Sequence, residues 1–389
     1  MIRLALAAAL CLSTFAAAAQ AADAPAIDQV DVFVSVRDGY KVFRIPALIV
    51  SAKGTLLAFC EGRASGSDTG DIDTVLKRSL DGGATWQPLQ VVGDDGPNTF
   101  GNPCPVVDRD TGTIWLPLTH NPGDATEGQI KRAAGTGSRT VWITKSTDDG
   151  VTWAKPVEIT ATTKDPAWGW YATGPGNGIQ MKSGRLVIPC DHSVIQGGAY
   201  RSHVIYSDDH GATWKLGGAI DTKVNECAVV ERSDGTLLMN MRHYAGTHRR
   251  AIATSADGGL TWTKAESDPA LVEPICQASL IRFADPRDPA RVLFAFSNPA
   301  NTARRRDHLT VRLSLDEGRT WPLARLICEE SSCGYSSLAL LPDGRLGCLY
   351  EAPRGKIVLA RLSVASIDQP PPPIPEPPAA DAKKADAKK

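Results

Sequence analysis

A short motif that repeats five times constrains the fold of this chain more than any other feature. Each copy follows the pattern S-x-D-x-G-x-T-W, and the copies occupy residues 79–86, 146–153, 207–214, 255–262 and 314–321. An Asp that caps backbone N–H groups, a Gly with positive φ and a Trp that packs on neighbouring strands together predict a tight turn between strands. Five copies of this turn, the Asp-box turn, indicate a repeat architecture.

A second repeat lies between these turns. A small residue followed by an apolar strand begins at residues 54, 112, 184, 235, 290 and 344, which makes six units. A unit of about 55 residues suits a four-stranded propeller blade with a long loop. The sixth unit has no Asp-box turn after residues 358–363, and an early strand at 30–34 can complete it. We therefore predict an all-β chain in which residues 28–365 form one six-bladed β-propeller with five Asp-box turns.

Composition narrows the possible functions. The 389 residues would suggest two or three domains by length alone, but the continuous repeat favours one. A formal net charge of −1 gives no electrostatic reason to expect nucleic acid or an anionic membrane as a partner. Because the chain has no CxxC pair, HExxH motif or acidic calcium loop, we predict neither a metal site nor a cofactor.

The two ends have their own compositions. Residues 1–21 contain an early Arg3, an Ala- and Leu-rich run and a small-x-small cleavage pattern, which predict a secretory signal peptide and export to the periplasm or the medium. A retained membrane anchor is the alternative, and no other apolar stretch is long enough to span a bilayer. Residues 368–389 are rich in Pro, Ala, Asp and Lys and predict a disordered tail.

Eight of the nine cysteines remain after such a cleavage, and an exported protein can form disulfides. Cys60, Cys190 and Cys348 end apolar runs and are interpreted as small buried hydrophobic residues. Cys328 and Cys333 are close enough in sequence for a local bridge, but spacing does not decide the pairing.

Three arginines beside apolar strand residues belong to different units: Arg44, Arg242 and Arg306. If they lie on inner strands of separate blades, their guanidinium groups converge on the central channel, where a carboxylate would satisfy them best. For any single arginine, the alternative is a surface residue with a buried stem.

Two motifs make the chain resemble a known family. Phe43-Arg44-Ile45-Pro46 is followed by 61–68, with the sequence EGRASGSD, and the chain resembles the non-viral exo-α-sialidases (neuraminidases) from residue 43 to 351. The resemblance implies that Arg44, Arg242 and Arg306 hold the sialic acid carboxylate. It also matches Arg63 to the arginine after the first strand and Asp68 to the loop acid/base. Asp71 and Asp73 remain close rivals to Asp68, and Arg304 and Arg305 compete with Arg306.

The resemblance extends to further residues. Asn225-Glu226 resembles the motif whose glutamate partners the nucleophile, Tyr335 matches the nucleophile, and Glu351 matches the carboxylate that braces Arg44. Asn102 occupies a place where many bacterial members carry an acidic residue near a sugar hydroxyl. Residues 168–171 could line the aglycone or N-acetyl side of the pocket or cover a blade edge, and the sequence leaves both open.

The resemblance implies an exported glycoside hydrolase that removes terminal α-linked sialic acids from sialylated glycoproteins, glycolipids or oligosaccharides with retention of configuration. One alternative is a related nonulosonate glycosidase that prefers a deaminated sugar, or a trans-sialidase. A non-catalytic glycan-binding propeller is the second alternative, although a lectin would not need Asp68, Glu226 and Tyr335 together.

Overall fold

The computed structural model describes residues 27–133, 138–220 and 223–371. The predicted signal peptide, residues 1–21, and residues 372–389 of the predicted tail lie outside the described residues. The tail residues nearest the core are described, and the backbone of Gln369 pairs with that of Ala324.

The described part of the chain is built almost entirely from strands, as predicted. The first ten are β1 Asp28–Val34, β2 Val42–Val50, β3 Leu56–Arg63, β4 Ile72–Ser79, β5 Gln90–Gly93, β6 Thr99–Gly101, β7 Val106–Val107, β8 Ile114–Asn121, β9 Thr140–Ser146 and β10 Val157–Glu158. The next nine are β11 Trp168–Thr173, β12 Ile179–Gln180, β13 Leu186–Val194, β14 Tyr200–Ser207, β15 Lys215–Ile220, β16 Val224–Glu231, β17 Leu237–His243, β18 Arg249–Ser255 and β19 Glu266–Val272. The last seven are β20 Ser279–Asp285, β21 Asp288–Pro299, β22 Leu309–Ser314, β23 Leu323–Cys328, β24 Ser336–Leu340, β25 Leu346–Ala352 and β26 Lys356–Leu362.

Helical segments are few and short. They are α1 Glu127–Lys131, α2 Thr160–Thr163 and a 3₁₀ turn at Val364–Ser366. No helix among the described residues is long and apolar enough to cross a membrane.

The strands form five hydrogen-bonded sheets in a propeller-like arrangement, which corrects the prediction of six separate blades. Four sheets have the size of one blade: β1-β26-β25-β24, β11-β13-β14-β15 with β12 on β13, β16 to β19, and β20 to β23. The fifth has nine strands, in the order β10-β9-β8-β6-β4-β3-β2 with β5 on β4 and β7 on β8. The first two predicted units share this sheet because Ile72 of β4 pairs in parallel with Thr99 of β6.

The two ends of the repeat meet in one sheet, as predicted from the missing sixth turn. β1 pairs antiparallel with β26, in a register that joins Asp28 to Arg361 and Val34 to Lys356. The N-terminal strand therefore supplies the outer strand of the last sheet, and the chain closes on itself through backbone hydrogen bonds.

The Asp-box turns have the predicted local structure. In the turn at 255–262, Thr261 donates its N–H and its hydroxyl to the Asp257 carboxylate at 2.9 and 2.6 Å, and the Gly259 N–H donates to Ser255 Oγ at 2.9 Å. The same three bonds recur in all five turns. The glycine at the fifth position of each motif has a φ between 77° and 93°, a conformation that other residues adopt at a cost.

Strand pairing sends these turns to one side of the sheets. In β3 and β4, Leu56 pairs with Ser79, the first residue of a turn, whereas Arg63 pairs with Ile72 at the other end. In β17 and β18, Leu237 likewise pairs with Ser255. The strands of each such sheet therefore have their Asp-box turn at one end, here called the Asp-box edge. The opposite end of the strands, at which β3 ends and β4 begins, is called the cleft edge.

Apolar side chains fill the space between neighbouring sheet faces. Val230 of β16, Leu238 of β17 and Phe294 and Phe296 of β21 belong to one such cluster, and all four are buried. Each buried side chain of this size contributes about 1.5–3 kcal/mol. This packing holds the strand ends, and the side chains that they carry, in fixed positions.

Three cysteines are buried as interpreted from the sequence, and a bridge that the sequence left open is formed. Cys60, Cys190 and Cys348 are buried free thiols. Cys328, the last residue of β23, forms a disulfide with Cys333, which lies two residues before Tyr335.

Candidate active site

A cleft of about 240 Å³ opens at the strand ends opposite the Asp-box turns, and the cleft edge is named after it. It is lined by eight of the nine predicted site residues, namely Arg44, Arg63, Asp68, Asn102, Glu226, Arg242, Arg306 and Tyr335. The ninth, Glu351, lies beneath it and contacts two of them. The residues come from β2, β3, β16, β17 and the loops at strand ends, so ring closure brings distant parts of the chain together.

The three predicted carboxylate-binding arginines surround one tyrosine ring. Arg44 Cζ and Arg306 Cζ each lie 5.3 Å from the centre of the Tyr335 ring, and Arg242 Nη1 lies 3.4 Å from the Tyr335 hydroxyl oxygen. The neighbours of Arg306 do not enter the cleft: Arg304 and Arg305 are exposed, and Arg305 pairs with Asp307 at 3.1 Å. Of the three consecutive arginines, the structure brings only Arg306 to the other two.

Tyr335 is part of a buried chain of hydrogen bonds. Its hydroxyl donates to Glu226 Oε1, while Arg242 Nη1 donates to Glu226 Oε2 at 2.6 Å. Burial, followed by the Glu226 charge, raises the pKa of Tyr335 well above its usual value, and Arg242 opposes this shift. The phenol is therefore neutral at neutral pH, and its proton already points at a carboxylate.

Glu351 braces both the arginine and the tyrosine. Its Oε1 accepts from Arg44 Nε at 3.0 Å and from the Ile45 N–H at 3.1 Å, and its Oε2 accepts from the Tyr335 N–H at 3.1 Å. Burial alone would raise the pKa of Glu351, but the Arg44 charge and the two backbone N–H groups hold it below the usual range. An ionised Glu351 thus fixes the positions of Arg44 and Tyr335 relative to each other.

Asp68 lies in the loop between β3 and β4, and its side chain is 65% exposed. Its Oδ1 accepts from Arg63 Nη1 at 2.6 Å and from Arg44 Nη1 at 3.2 Å. Partial burial raises the pKa of Asp68, but the Arg63 charge and hydrogen bond outweigh it and lower the pKa overall. Asp68 is thus the carboxylate at the cleft mouth.

The two rival aspartates are not in the cleft lining. Asp73 accepts from the Tyr40 hydroxyl at 2.5 Å, and burial raises the pKa of Asp73 to about 6. Asp71 is exposed just before β4. Of the three aspartates, only Asp68 faces the arginines.

Asn102 belongs to a polar network beside Arg63. Arg63 Nε donates to Glu61 Oε2 at 2.8 Å, and the Asn102 N–H donates to Glu61 Oε1 at 2.8 Å. Asn102 Oδ1 accepts from Arg139 Nη1 at 2.8 Å and from the Thr119 hydroxyl at 2.9 Å. The amide oxygen that sequence matched to a sugar contact therefore already holds Arg139.

The segment 168–171, whose role the sequence left open, has one tryptophan in the cleft lining and two aromatic residues in a buried cluster. Trp170 lines the cleft, with Arg139 Cζ 3.8 Å from its ring centre. Trp168 stacks on His192 at 3.4 Å, and Tyr171 is fully buried in the same cluster.

Sequence reasoning missed six charged or tyrosine side chains of the lining as site residues: Glu61, Glu127, Arg139, Asp191, Tyr200 and Tyr244. Arg139 is buried, and burial lowers its pKa to about 10. Tyr200 donates its hydroxyl to Glu127 Oε1 at 2.7 Å. An isolated acid in an apolar strand, as Asp191 is in β13, was a usable signal, whereas nothing in the sequence linked Arg139 or Glu127 to the cleft.

One group among the described residues has metal-ligand geometry, and it lies at the Asp-box edge. It consists of Asp108, Asp110 and His210. Gln180 Nε2 donates to Asp108 Oδ1 and to Asp110 Oδ2, each at 2.9 Å. Neighbouring side chains thus already satisfy these carboxylates.

Comparisons with known proteins show which family this chain is similar to. A family model described as a BNR repeat-like domain matches residues 54–348. A sialidase of Micromonospora viridifaciens is 36% identical over 355 residues, covering 85% of this chain and 53% of the relative. A sialidase of Bacteroides fragilis (strain YCH46) is 37% identical over 333 residues, covering 81% of this chain and 61% of the relative. The solved structure of the Hadza microbial sialidase Hz136 superposes with a TM-score of 0.81 at 33% identity, covering 87% of this chain and 69% of that one.

The chain therefore spans between about half and three fifths of the length of these two bacterial relatives. The region that the family model matches includes the strands that carry Arg63, Arg242 and Glu226. On these similarities, the chain belongs to the family of sialidases with BNR repeats.

Proposed function

We propose that this protein is an exo-α-sialidase, a glycoside hydrolase that releases terminal α-linked sialic acids from glycoproteins, glycolipids and oligosaccharides. The observation that carries the proposal is the hydrogen-bonded chain of Tyr335, Glu226 and Arg242 at the centre of three convergent arginines. A terminal sugar with a carboxylate on its anomeric carbon matches both features at once.

The arginines hold the substrate carboxylate. Charge-assisted bonds from planar guanidinium groups suit a carboxylate, and Arg44 is already oriented by Glu351 at 3.0 Å. Because the carboxylate is attached to the reacting carbon, this grip also fixes the anomeric carbon above Tyr335. Contacts that persist through an oxocarbenium-like transition state then contribute to the rate.

Tyr335 acts as the nucleophile. A carboxylate nucleophile would be repelled by the negative charge that the sugar carries next to the reacting carbon, whereas a neutral phenol avoids this repulsion. A phenol is a weak nucleophile until a base removes its proton, and Glu226 Oε1 already accepts the Tyr335 hydroxyl. Sialidases with a Tyr nucleophile are a known exception among glycosidases.

Asp68 acts as the acid and then as the base. Asp68 is paired with Arg63 and Arg44, which lower its pKa and keep it ionised. A bound substrate carboxylate competes for Arg44, and the glycan displaces water, so both changes raise the pKa of Asp68 towards that of a proton donor. Asp68 then protonates the leaving oxygen and later deprotonates the incoming water, and two displacements give retention.

The alternatives share the same cleft. A trans-sialidase, or a glycosidase that prefers a deaminated nonulosonate, would use the same arginines and the same tyrosine. A glycan-binding propeller without catalysis would gain nothing from a phenol hydrogen-bonded to a buried glutamate, which favours an enzyme.

The architecture and location complete the proposal. The nine-stranded sheet would consist of two blades, β2 to β5 and β6 to β10, joined by the Ile72–Thr99 pair, which would make six units around the ring. Residues 1–21 would act as a signal peptide, and the mature chain would work outside the cytoplasm.

The direct test is release of free sialic acid from α2,3- and α2,6-linked sialyllactose by the purified chain. Release from either substrate supports a hydrolase and ranks the linkages. With a 4-methylumbelliferyl sialoside as donor, transfer of the sialyl group to added lactose, which forms sialyllactose in place of free sialic acid, would favour the transferase. Binding without release would favour the glycan-binding protein.

A further inference from the structure

Asp191 is a cleft residue that the proposed chemistry leaves unused. It lies in β13, its side chain is 0% exposed, and it lines the cleft floor. Neither of its carboxyl oxygens has a hydrogen-bond partner among the described residues. A buried carboxyl group without hydrogen-bond partners destabilises the folded protein. A ligand that supplies the missing hydrogen bond would explain why a carboxyl group occupies this position.

Backbone pairing places Asp191 opposite Ala172 of β11, and both residues line the cleft. The charges that act on Asp191 are those of Glu226, Arg242, Arg139 and Glu127. Burial, reinforced by Glu226, raises the pKa of Asp191 well above its usual value. The group can therefore interact with a neutral hydrogen-bonding partner without a full charge having to be buried.

The half of the cleft that is lined by Arg139, Glu127 and Tyr200 is polar. Arg139 stacks on Trp170 at 3.8 Å, and Tyr200 donates to Glu127 at 2.7 Å. If the arginines hold the sugar carboxylate, ring atom C5 lies across the ring from the anomeric carbon and faces this half. C5 carries an amide or a hydroxyl, and the neighbouring C6 carries a trihydroxypropyl side chain, so hydrogen-bond donors arrive where Asp191 lacks one.

We propose, on the basis of the proposed function, that Asp191 is a specificity-determining residue that accepts a hydrogen bond from a hydroxyl or amide hydrogen on the half of the nonulosonate opposite its carboxylate. The donor is either on the C5 substituent or on the C6 side chain. Both sources offer the same chemistry, and substrate analogues distinguish them.

The test uses three 4-methylumbelliferyl glycosides with the full-length chain. The first is the intact N-acetylneuraminide, the second has its C6 side chain shortened to a methyl group, which leaves no hydroxyl there, and the third has hydrogen in place of the C5 substituent. Asp191→Leu should lower kcat/KM on the intact glycoside about tenfold to a hundredfold, the cost of leaving a hydrogen bond unmade. On the analogue that lacks the relevant donor, wild type and variant should agree within about twofold, which identifies the source.

Equal losses on all three glycosides, or no loss on the intact one, would overturn the assignment. The matched control is Asp268→Asn, which changes a buried aspartate of β19 outside the cleft lining and should leave the substrate ratios unchanged. If Asp191→Leu does not fold, Asp191→Ala, which also removes the acceptor oxygens, replaces it, and an unchanged ratio of intact to shortened and to C5-deoxy substrate is then the contrary result. A wild type that hydrolyses none of the three refutes the proposed function, whereas an active wild type with flat ratios refutes only the role of Asp191.

Discussion

The Asp-box edge and the cleft edge are opposite ends of the same strands, but the hydrogen bonds that define an Asp-box turn span far fewer residues than those that build the cleft. At the Asp-box edge, Asp257 accepts from Thr261, four residues away. At the cleft edge, Tyr335 and Glu226 are 109 residues apart, and Arg44 and Glu351 are 307 apart. Turns are therefore stabilised within one motif, whereas the cleft exists only after the whole ring has closed.

This difference separates stability from activity. An Asp-box turn is exposed, so losing one carboxylate affects the local turn and leaves its four counterparts intact. A cleft residue has no second copy, and several are buried and charged. Changes at the cleft edge should lower activity strongly, and changes at the Asp-box edge should lower stability slightly.

The largest expected effect is at Tyr335. Tyr335→Phe removes the attacking oxygen but keeps the ring, so turnover should fall on the order of a thousandfold or more. A 3-fluoro-sialyl fluoride should label wild-type Tyr335, because the fluorine at C3 slows turnover of the intermediate. Intact mass and peptide mapping measure the label. Labelling of Asp68 or Glu226 would contradict this assignment.

Asp68→Asn should have an effect that depends on the leaving group. Release from sialyllactose needs a proton on a poor leaving group and should fall about a hundredfold to ten-thousandfold, whereas a 4-methylumbelliferyl sialoside should lose much less. Steady-state kcat/KM on both substrates gives the comparison. Equal losses would remove Asp68 from the acid role.

Arg306→Lys keeps the charge but loses the planar fork. Catalytic efficiency should fall roughly tenfold to a hundredfold, given that a charged hydrogen bond contributes about 1.5–3 kcal/mol. Arg304→Lys is the matched control, because Arg304 is exposed two residues away. A larger loss of catalytic efficiency in Arg304→Lys than in Arg306→Lys would mean that Arg304, and not Arg306, holds the substrate carboxylate.

Asp257→Ala tests the Asp-box edge. Losing a cap of this kind costs about 1 kcal/mol, which for a domain of this size lowers the Tm by about 2 °C. Because the turn lies at the far end of the strands, kcat/KM should stay within about twofold of wild type. Differential scanning calorimetry and kinetics on the same preparation check both parts, and lost activity at an unchanged Tm would contradict the separation of the two edges.

The smallest expected effect is the pH dependence of that turn. Hydrogen bonds from the Thr261 side chain and N–H lower the pKa of Asp257 to about 2, from an unfolded value near 3.9. A lowered folded pKa contributes stability above pH 4 that is lost as pH falls towards 2. The urea midpoints of wild type and Asp257→Asn should therefore differ more at pH 6 than at pH 2.5. A constant difference would mean that the charge of Asp257 plays no part.

Much of the fold and part of the site were predictable because their signals are local or repeated. The five turns recur with one pattern, and the missing sixth turn correctly indicated that the N-terminal strand pairs with the last sheet. The prediction of six separate blades was wrong as a count of sheets, because the pair of Ile72 and Thr99 joins two predicted units into one sheet. That pairing depends on how two loops approach each other, which the sequence does not indicate.

The sequence by itself determined the residue types of the turns, the strand-forming units and the arginines that could bind a carboxylate. Hydrogen bonds within a motif and alternating apolar residues act over a few positions, so they can be interpreted without a fold. Only the tertiary structure decided that Arg306 rather than Arg304 or Arg305 reaches Tyr335, that Asn102 holds Arg139, and that Asp191 is buried without a partner at the cleft floor. Each of these contacts depends on which strand ends lie next to each other when the sheets pack into a ring. Because the contacting residues are far apart along the chain, no local sequence pattern indicates them.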